Sequence, residues 1–152
     1  MDIPVFPLKT LKQYFYNFLA VVLLALIPAI LFRYFILDGK PLPLFPQKVD
    51  WMIIGVLFIL TVGYDISRKK ELKKIVELTD WTEKFRKYEV YFKKRLIVNG
   101  LSAVLSGLFL ITTRGNTMLY FIILQLLLLP AFYPKKTIIT RELKSEDIVF
   151  TE

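Results

Sequence analysis

The sequence predicts an all-α polytopic integral membrane protein, with four transmembrane helices as two antiparallel hairpins and helices two and three extended into a cytoplasmic amphipathic helical hairpin. Three observations predict it. The 152 residues are 55% hydrophobic yet 22% charged, with a mean hydropathy of +0.52, so charge must be segregated from the apolar runs rather than spread over a soluble surface. Four apolar runs approach the about 20 residues that a helix needs to cross about 30 Å of hydrocarbon. Lysine and arginine gather on one side of those runs.

The whole chain, 1–152, reads as a single membrane domain. Its spans are expected at about 14–37, 48–66, 95–113 and 116–133, with a cytoplasmic helical segment at 67–94 and a cytoplasmic tail at 134–152. The first run, YFYNFLAVVLLALIPAILFRYFIL, has a rival reading as a secretory signal, because Lys9 and Lys12 precede it and Ala29 could end it. It is long for a signal, and bulky Phe32, Tyr34 and Phe35 follow the cut, so an uncleaved span is expected. Pro28 lacks an N–H and should kink the helix. The second run, between Asp50 and Asp65, is short and needs flanking residues or local thinning to complete a crossing. Only Thr113, Arg114, Gly115 and Asn116 separate the third and fourth runs. Gly and Asn tolerate positive φ, so these two runs should form a tight antiparallel hairpin.

Charge gives the direction. The N-terminal arm carries 2 basic residues, 66–95 carries 11 and the tail after Tyr133 carries 4. Against these 17 stand 4 on the other side, namely Arg33, Lys40, Lys48 and Arg114. The positive-inside rule then puts both termini in the cytoplasm, and the expected setting is a bacterial inner (plasma) membrane. The aromatic residues agree: Tyr14, Tyr16, Tyr64, Tyr91 and Tyr133 fall at the inner boundary, and Tyr34, Trp51 and Tyr120 at the outer one.

Within 67–94, Leu78, Trp81, Phe85, Tyr88 and Phe92 recur at spacings of 3, 4, 3 and 4, which is one stripe of an amphipathic helix. Asp80 and Glu83 read as a variant capping box, with the Asp carboxylate accepting from the N3 amide and Glu reaching back. Two arrangements are open. In the favoured one, span two continues to about Leu78 and packs Leu72, Ile75 and Val76 on Trp81, Phe85 and Tyr88 as a projecting hairpin. In the other, the segment lies flat on the inner leaflet. The outer loop is stiffened by Pro41, Pro43 and Pro46. In the tail, Ile138, Ile139, Leu143, Ile148, Val149 and Phe150 can dock back on the hairpin or recruit a partner.

Polar residues at membrane depth are costly, about 2.5–3.5 kcal/mol for a charge on insertion scales, and so are the only site candidates. Asn17, Asp65, Arg95 and Asn99 share an inner depth and form a candidate polar cluster, with Lys94 near Asp65. Arg33 is expected to snorkel to the outer interface. Gly100, Ala103 and Gly107 give span three a small face that suits packing on spans two or four, or a homo-oligomer seam. Gln125 should bond a neighbouring helix or a second subunit.

Cysteine and histidine are both absent, which excludes disulfides, thiolate and Ser-His catalysis and the usual zinc sites, so no cofactor or metal is expected. The net charge of +8 fits anionic headgroups at the cytoplasmic face better than nucleic acid, for which no signature is present. Three functions follow. The first is a non-catalytic scaffold, assembly factor or accessory subunit contacting a partner or anionic lipid, alone, as a homo-oligomer or in a larger membrane complex. The second is an oligomeric channel or small transporter. The chain resembles small multidrug transporters in span count alone, because the acidic residue they carry in their first span has no counterpart in 14–37. The third is a lipid-modifying enzyme built on Asp65 with Lys94, Arg95 or Asn99.

Overall fold

A short strand, β1 (Val5–Pro7), leads directly into α1 (Leu8–Leu31), which continues through Pro28 and widens into a π-helical turn at Phe32–Ile36. The computed structural model describes residues 5–40, 42, 46–113, 116–145 and 148–151. Pro41, Pro43, Arg114 and Gly115 of the expected loops lie outside the described residues, as do the side chains of Lys48 and Asp50.

After a turn in which Asp38 and Gly39 take positive φ, Pro46 precedes α2 (Gln47–Phe58). A second π-helical turn, Ile59–Gly63, joins α2 to α3 (Tyr64–Val76) without a break. The second apolar run and the basic segment after it are thus one helical rod, ending close to the expected Leu78. Four residues later α4 (Trp81–Thr112) begins, with Asp80 as its N-cap. The Asp80 carboxylate accepts from the Thr82 amide at 3.0 Å, one residue short of the expected N3 amide. Glu83 does not reach back as the capping-box pattern predicted. Its carboxylate pairs with Lys87 at 2.8 Å, because a cation one turn ahead competes for it.

α5 (Thr117–Leu128) ends in a 3₁₀ turn at Leu129–Phe132. Tyr133 is extended, as the residue before a proline prefers. α6 (Lys136–Leu143) then leaves at 79° to the preceding helix. The tail folds back, burying Ile139, Leu143 and Ile148, and finishes as β2 (Val149–Thr151). β2 pairs in parallel with β1 in the register Val5↔Val149, Phe6↔Phe150 and Pro7↔Thr151.

The fold is otherwise helical. Leu8–Ile36, Trp51–Val76 and Trp81–Thr112 are each long and apolar enough to cross a membrane, and Thr117–Phe132 with Lys136–Leu143 makes a fourth if the bent pair is one span. α1 and α4 form the central pair. Tyr14 meets Glu89, Phe18 meets Gly100, Ala25 meets Gly107 and Arg33 meets Leu110, so the two helices run in the same direction along most of their length.

At one end of this pair lies an aromatic core. Phe6 sits edge-on to Phe85, Tyr88 and Phe150, with ring centroids 4.6, 5.9 and 6.0 Å away. Such pairs contribute about 0.5–1.5 kcal/mol each beyond burial. The apolar stripe of the amphipathic segment is therefore covered by the N-terminal strand, and Leu72 and Ile75 of α3 belong to the same apolar cluster. At the other end α4 is partly turned inside out, with Leu110 still buried. Ile97, Leu101 and Leu108 are each 58% exposed, whereas Ser102 and Ser106 are 2% and 0% exposed and Gly100 and Gly107 are buried.

Candidate functional site

Where α3 and α4 pass from apolar to basic sequence, a layer of charge joins them. Asp65 lies in the first turn of α3 and Arg68 one turn later on the same face. Arg68 is buried, with Nη1 3.5 Å from Asp65 Oδ1. Its Nη2 donates to the Tyr91 hydroxyl at 2.8 Å, and its guanidinium carbon lies 4.2 Å from the centre of that ring. From α4, Arg95 brings Nε to 3.9 Å from the same Asp65 oxygen and stacks 4.7 Å over the Phe132 ring.

One carboxylate thus serves two guanidiniums. Because Asp65 is 40% exposed, solvent weakens both pairs, and their contribution is set more by position than by strength. Arg68 Nε and Nη1 and Arg95 Nε make no hydrogen bond within the described residues. A second latch lies beside the first. The Tyr88 hydroxyl donates to Glu142 of α6 at 2.6 Å. Burial, and after it the Glu142 charge, raises the Tyr88 pKa above its usual value, so the phenol stays a donor. Burial also raises Tyr91, against the opposing pull of Arg68.

Of the four residues expected to form a polar cluster, Asp65 and Arg95 meet and the others do not join them in a cavity. Asn99, one turn beyond Arg95, donates back to the Arg95 carbonyl at 2.9 Å. It lines a small cavity of about 90 Å³ shared with Thr61 and Gln125. Asn17 opens onto a different groove, beside Lys93 and Gly100. Helical geometry explains the split, because Lys93 and Gly100 lie on roughly the opposite side of α4 from Arg95 and Asn99. Lys94, expected near Asp65, pairs with Glu71 at 3.3 Å.

On the small face of α4, Gly100 and Gly107 meet α1, while Ala103 lines a cavity shared with Phe58 of α2 and Gln125 of α5. A Cβ built on Gly107 would lie 2.9 Å from the Ala25 carbonyl oxygen, and one on Gly100 would lie 3.4 Å from Phe18. Ala103 is buried on the same side. Gln125 of α5 donates to Ser102 Oγ at 3.0 Å, and Ser106 Oγ donates to the Ser102 carbonyl at 2.7 Å, so the mid-helix amide is bonded within the chain.

Arg33 also departs from expectation. It is 2% exposed and does not snorkel. Its Nη1 donates to the carbonyls of Leu110 and Thr113, the latter at 2.8 Å, while the Leu42 amide donates to the Ile111 carbonyl at 2.9 Å. The last carbonyls of a helix have no partner within it, and a guanidinium is the cation best shaped to meet several of them. The sequence alone gives no sign of this pairing, since it joins residues 77 and 80 positions apart. Arg68 was missed for the opposite reason, being one of many basic residues in a run that reads as solvated.

Among the described residues no group of three or more acidic, His or Cys side chains is placed to hold a metal ion. What the charged layer does in the fold is fasten α3 to α4 through Asp65 and Arg95. In comparisons with protein-family models, characterised proteins and solved structures, nothing matches this chain.

Proposed function

We propose that the chain is a four-span membrane protein with both ends on the cytoplasmic side. We propose further that it serves as a non-catalytic scaffold, assembly or accessory subunit, holding a partner or anionic lipid with its basic extension. The observation that carries this is the inversion along α4. Between 97 and 112, Ile97, Leu101 and Leu108 face outward while Gly100, Ser102, Ser106 and Gly107 are buried, with Leu110 the large apolar side chain kept inside. In water that exchange loses hydrophobic burial; in lipid it costs nothing, and small residues let backbones approach closely.

The remaining features agree with that environment. Leu24, Phe35 and Leu127 are 73%, 78% and 72% exposed on three different helical segments. Arg33 and Leu42 leave few bare carbonyls at the end of α4, which lipid could not solvate. On this reading α3 and the start of α4 leave the inner surface as an antiparallel pair, fastened by Asp65, Arg68, Tyr91 and Arg95 and clasped by α6. Their outward lysines face water and headgroups. α5 with its 3₁₀ turn falls short of the about 20 residues of a straight crossing, so the membrane thins there or α6 completes the passage.

Two measurements test this. The chain should stay with membranes through alkaline carbonate extraction, and reporter tags at its two ends should both respond from the cytoplasm; ends on opposite faces would overturn the topology. Affinity purification from native membranes should return a partner or a preference for anionic lipid. Recovery of the chain alone with no such preference would remove the scaffold role.

A further inference from the structure

Between α1 and α4, on the side of α4 away from the Asp65 layer, runs a groove of about 540 Å³. That volume falls within the about 300–1,000 Å³ usual for ligand clefts. Val21, Ile97, Leu101 and Val104 form its sides. Its floor is Phe18 and Gly100, where a Cβ would already lie 3.4 Å from the Phe18 ring.

One end of the groove is polar, and it is the end nearer the basic extension. There Lys93 holds its ammonium 5.3 Å from the centre of the Tyr14 ring and has no carboxylate partner among the described residues. Glu89, one turn earlier, accepts from the Tyr14 hydroxyl at 2.9 Å and is engaged there. Asn17 faces the same opening with no hydrogen bond within the described residues. An amide at the edge of the hydrocarbon needs a polar partner, and the protein supplies none.

We propose that this groove holds one anionic glycerophospholipid of the inner leaflet, with an acyl chain along Val21, Leu101 and Val104 and its phosphate at Lys93 and Asn17. The occupant follows from the match of parts: an aliphatic slot open along its length, an amide that accepts and donates, and an uncompensated cation at the mouth. The inference rests on the membrane reading above.

The test uses the full chain in mild detergent, incubated with phosphatidylglycerol or with phosphatidylcholine of the same acyl chains, and counts retained lipid by native mass spectrometry. One phosphatidylglycerol should be retained in preference to phosphatidylcholine. Lys93→Gln should weaken that retention about fivefold, the worth of one basic residue at an anionic surface. Val104→Trp should displace both lipids by filling the slot, and Ile97→Trp at the rim does the same if the first variant unfolds. Lys70→Gln, on the exposed face of α3, should change nothing.

Equal losses from Lys93→Gln and Lys70→Gln would mean diffuse surface charge and overturn the site, as would lipid retention indifferent to the tryptophan variants. Either result in a chain that resists carbonate extraction leaves the membrane reading intact, whereas a chain released by carbonate sinks both.

Discussion

Along residues 81–94 of α4 the aromatic side chains of Tyr88, Tyr91 and Phe92 turn inward and lysines 87, 93 and 94 turn outward. Along 97–112 of the same helix Ile97, Leu101 and Leu108 turn outward and serine and glycine turn inward, beside a buried Leu110. Both halves pack against the N-terminal part of the chain, Phe6 on one half and Ala25 on the other. On the membrane reading proposed above, one continuous helix answers to two solvents. On that reading cohesion in the first half comes from burying aromatic surface; in the second it comes from close backbone approach and capped polar groups, because leucine gains nothing by leaving lipid.

The largest effect is expected at Gly107. Replacing it with Leu puts a side chain where even a Cβ would stand 2.9 Å from the Ala25 carbonyl oxygen. The expected loss is about 3 kcal/mol or more, read as thermal unfolding in detergent. Gly55→Ala, in open space on α2, should leave the midpoint unchanged or slightly raised. Equal behaviour of the two variants would mean that α1 and α4 do not touch.

Next comes Arg33→Met, which strips the carbonyls of Leu110 and Thr113 of their donor. Losing a charged donor to buried acceptors should cost about 2 kcal/mol. Hydrogen exchange should rise in the last turns of α4 and stay unchanged near Trp81.

In the aromatic half the effects are smaller. Tyr88→Phe and Glu142→Gln should each cost about 1 kcal/mol, and a double-mutant cycle should show that they act through one another. Tyr88 also sets a pH dependence. Its folded pKa is raised above the usual 10.0, so its contribution is complete below pH 10.0, where the unfolded phenol is still protonated, and is lost as pH climbs beyond it. Tyr88→Phe should flatten that alkaline decline, and a decline that persists unchanged belongs to other groups. Smallest of all, Lys87→Ala breaks an exposed pair with Glu83 and should shift stability by less than about 0.5 kcal/mol.

Local signals were legible wherever one helix decided the outcome. The 3-4 spacing of Trp81, Phe85, Tyr88 and Phe92 marks the inward face of α4, and Asp80 marks its start. The tail was legible as far as Ile139, Leu143 and Ile148, which are buried, whereas Val149 is 47% exposed. Its end beside Val5–Pro7 was not, because a three-residue strand has too little pattern to announce a partner more than 140 positions away. The polar candidates were chosen by their place along the apolar runs, which says nothing of azimuth. Asn17 and Asn99 lie at similar heights but on different sides of α4, and depth is all that counting along an apolar run provides.

By itself the sequence determined how much of the chain is apolar, where those runs begin and end, and on which side the lysines gather, since each depends only on the composition of neighbouring residues. Tertiary structure alone decided that α1 and α4 are the central pair, that Gly107 serves their contact and that Arg33 closes a distant helix end. Those outcomes depend on which faces meet, and a helix rotated by a third of a turn keeps every sequence signal while exchanging every partner.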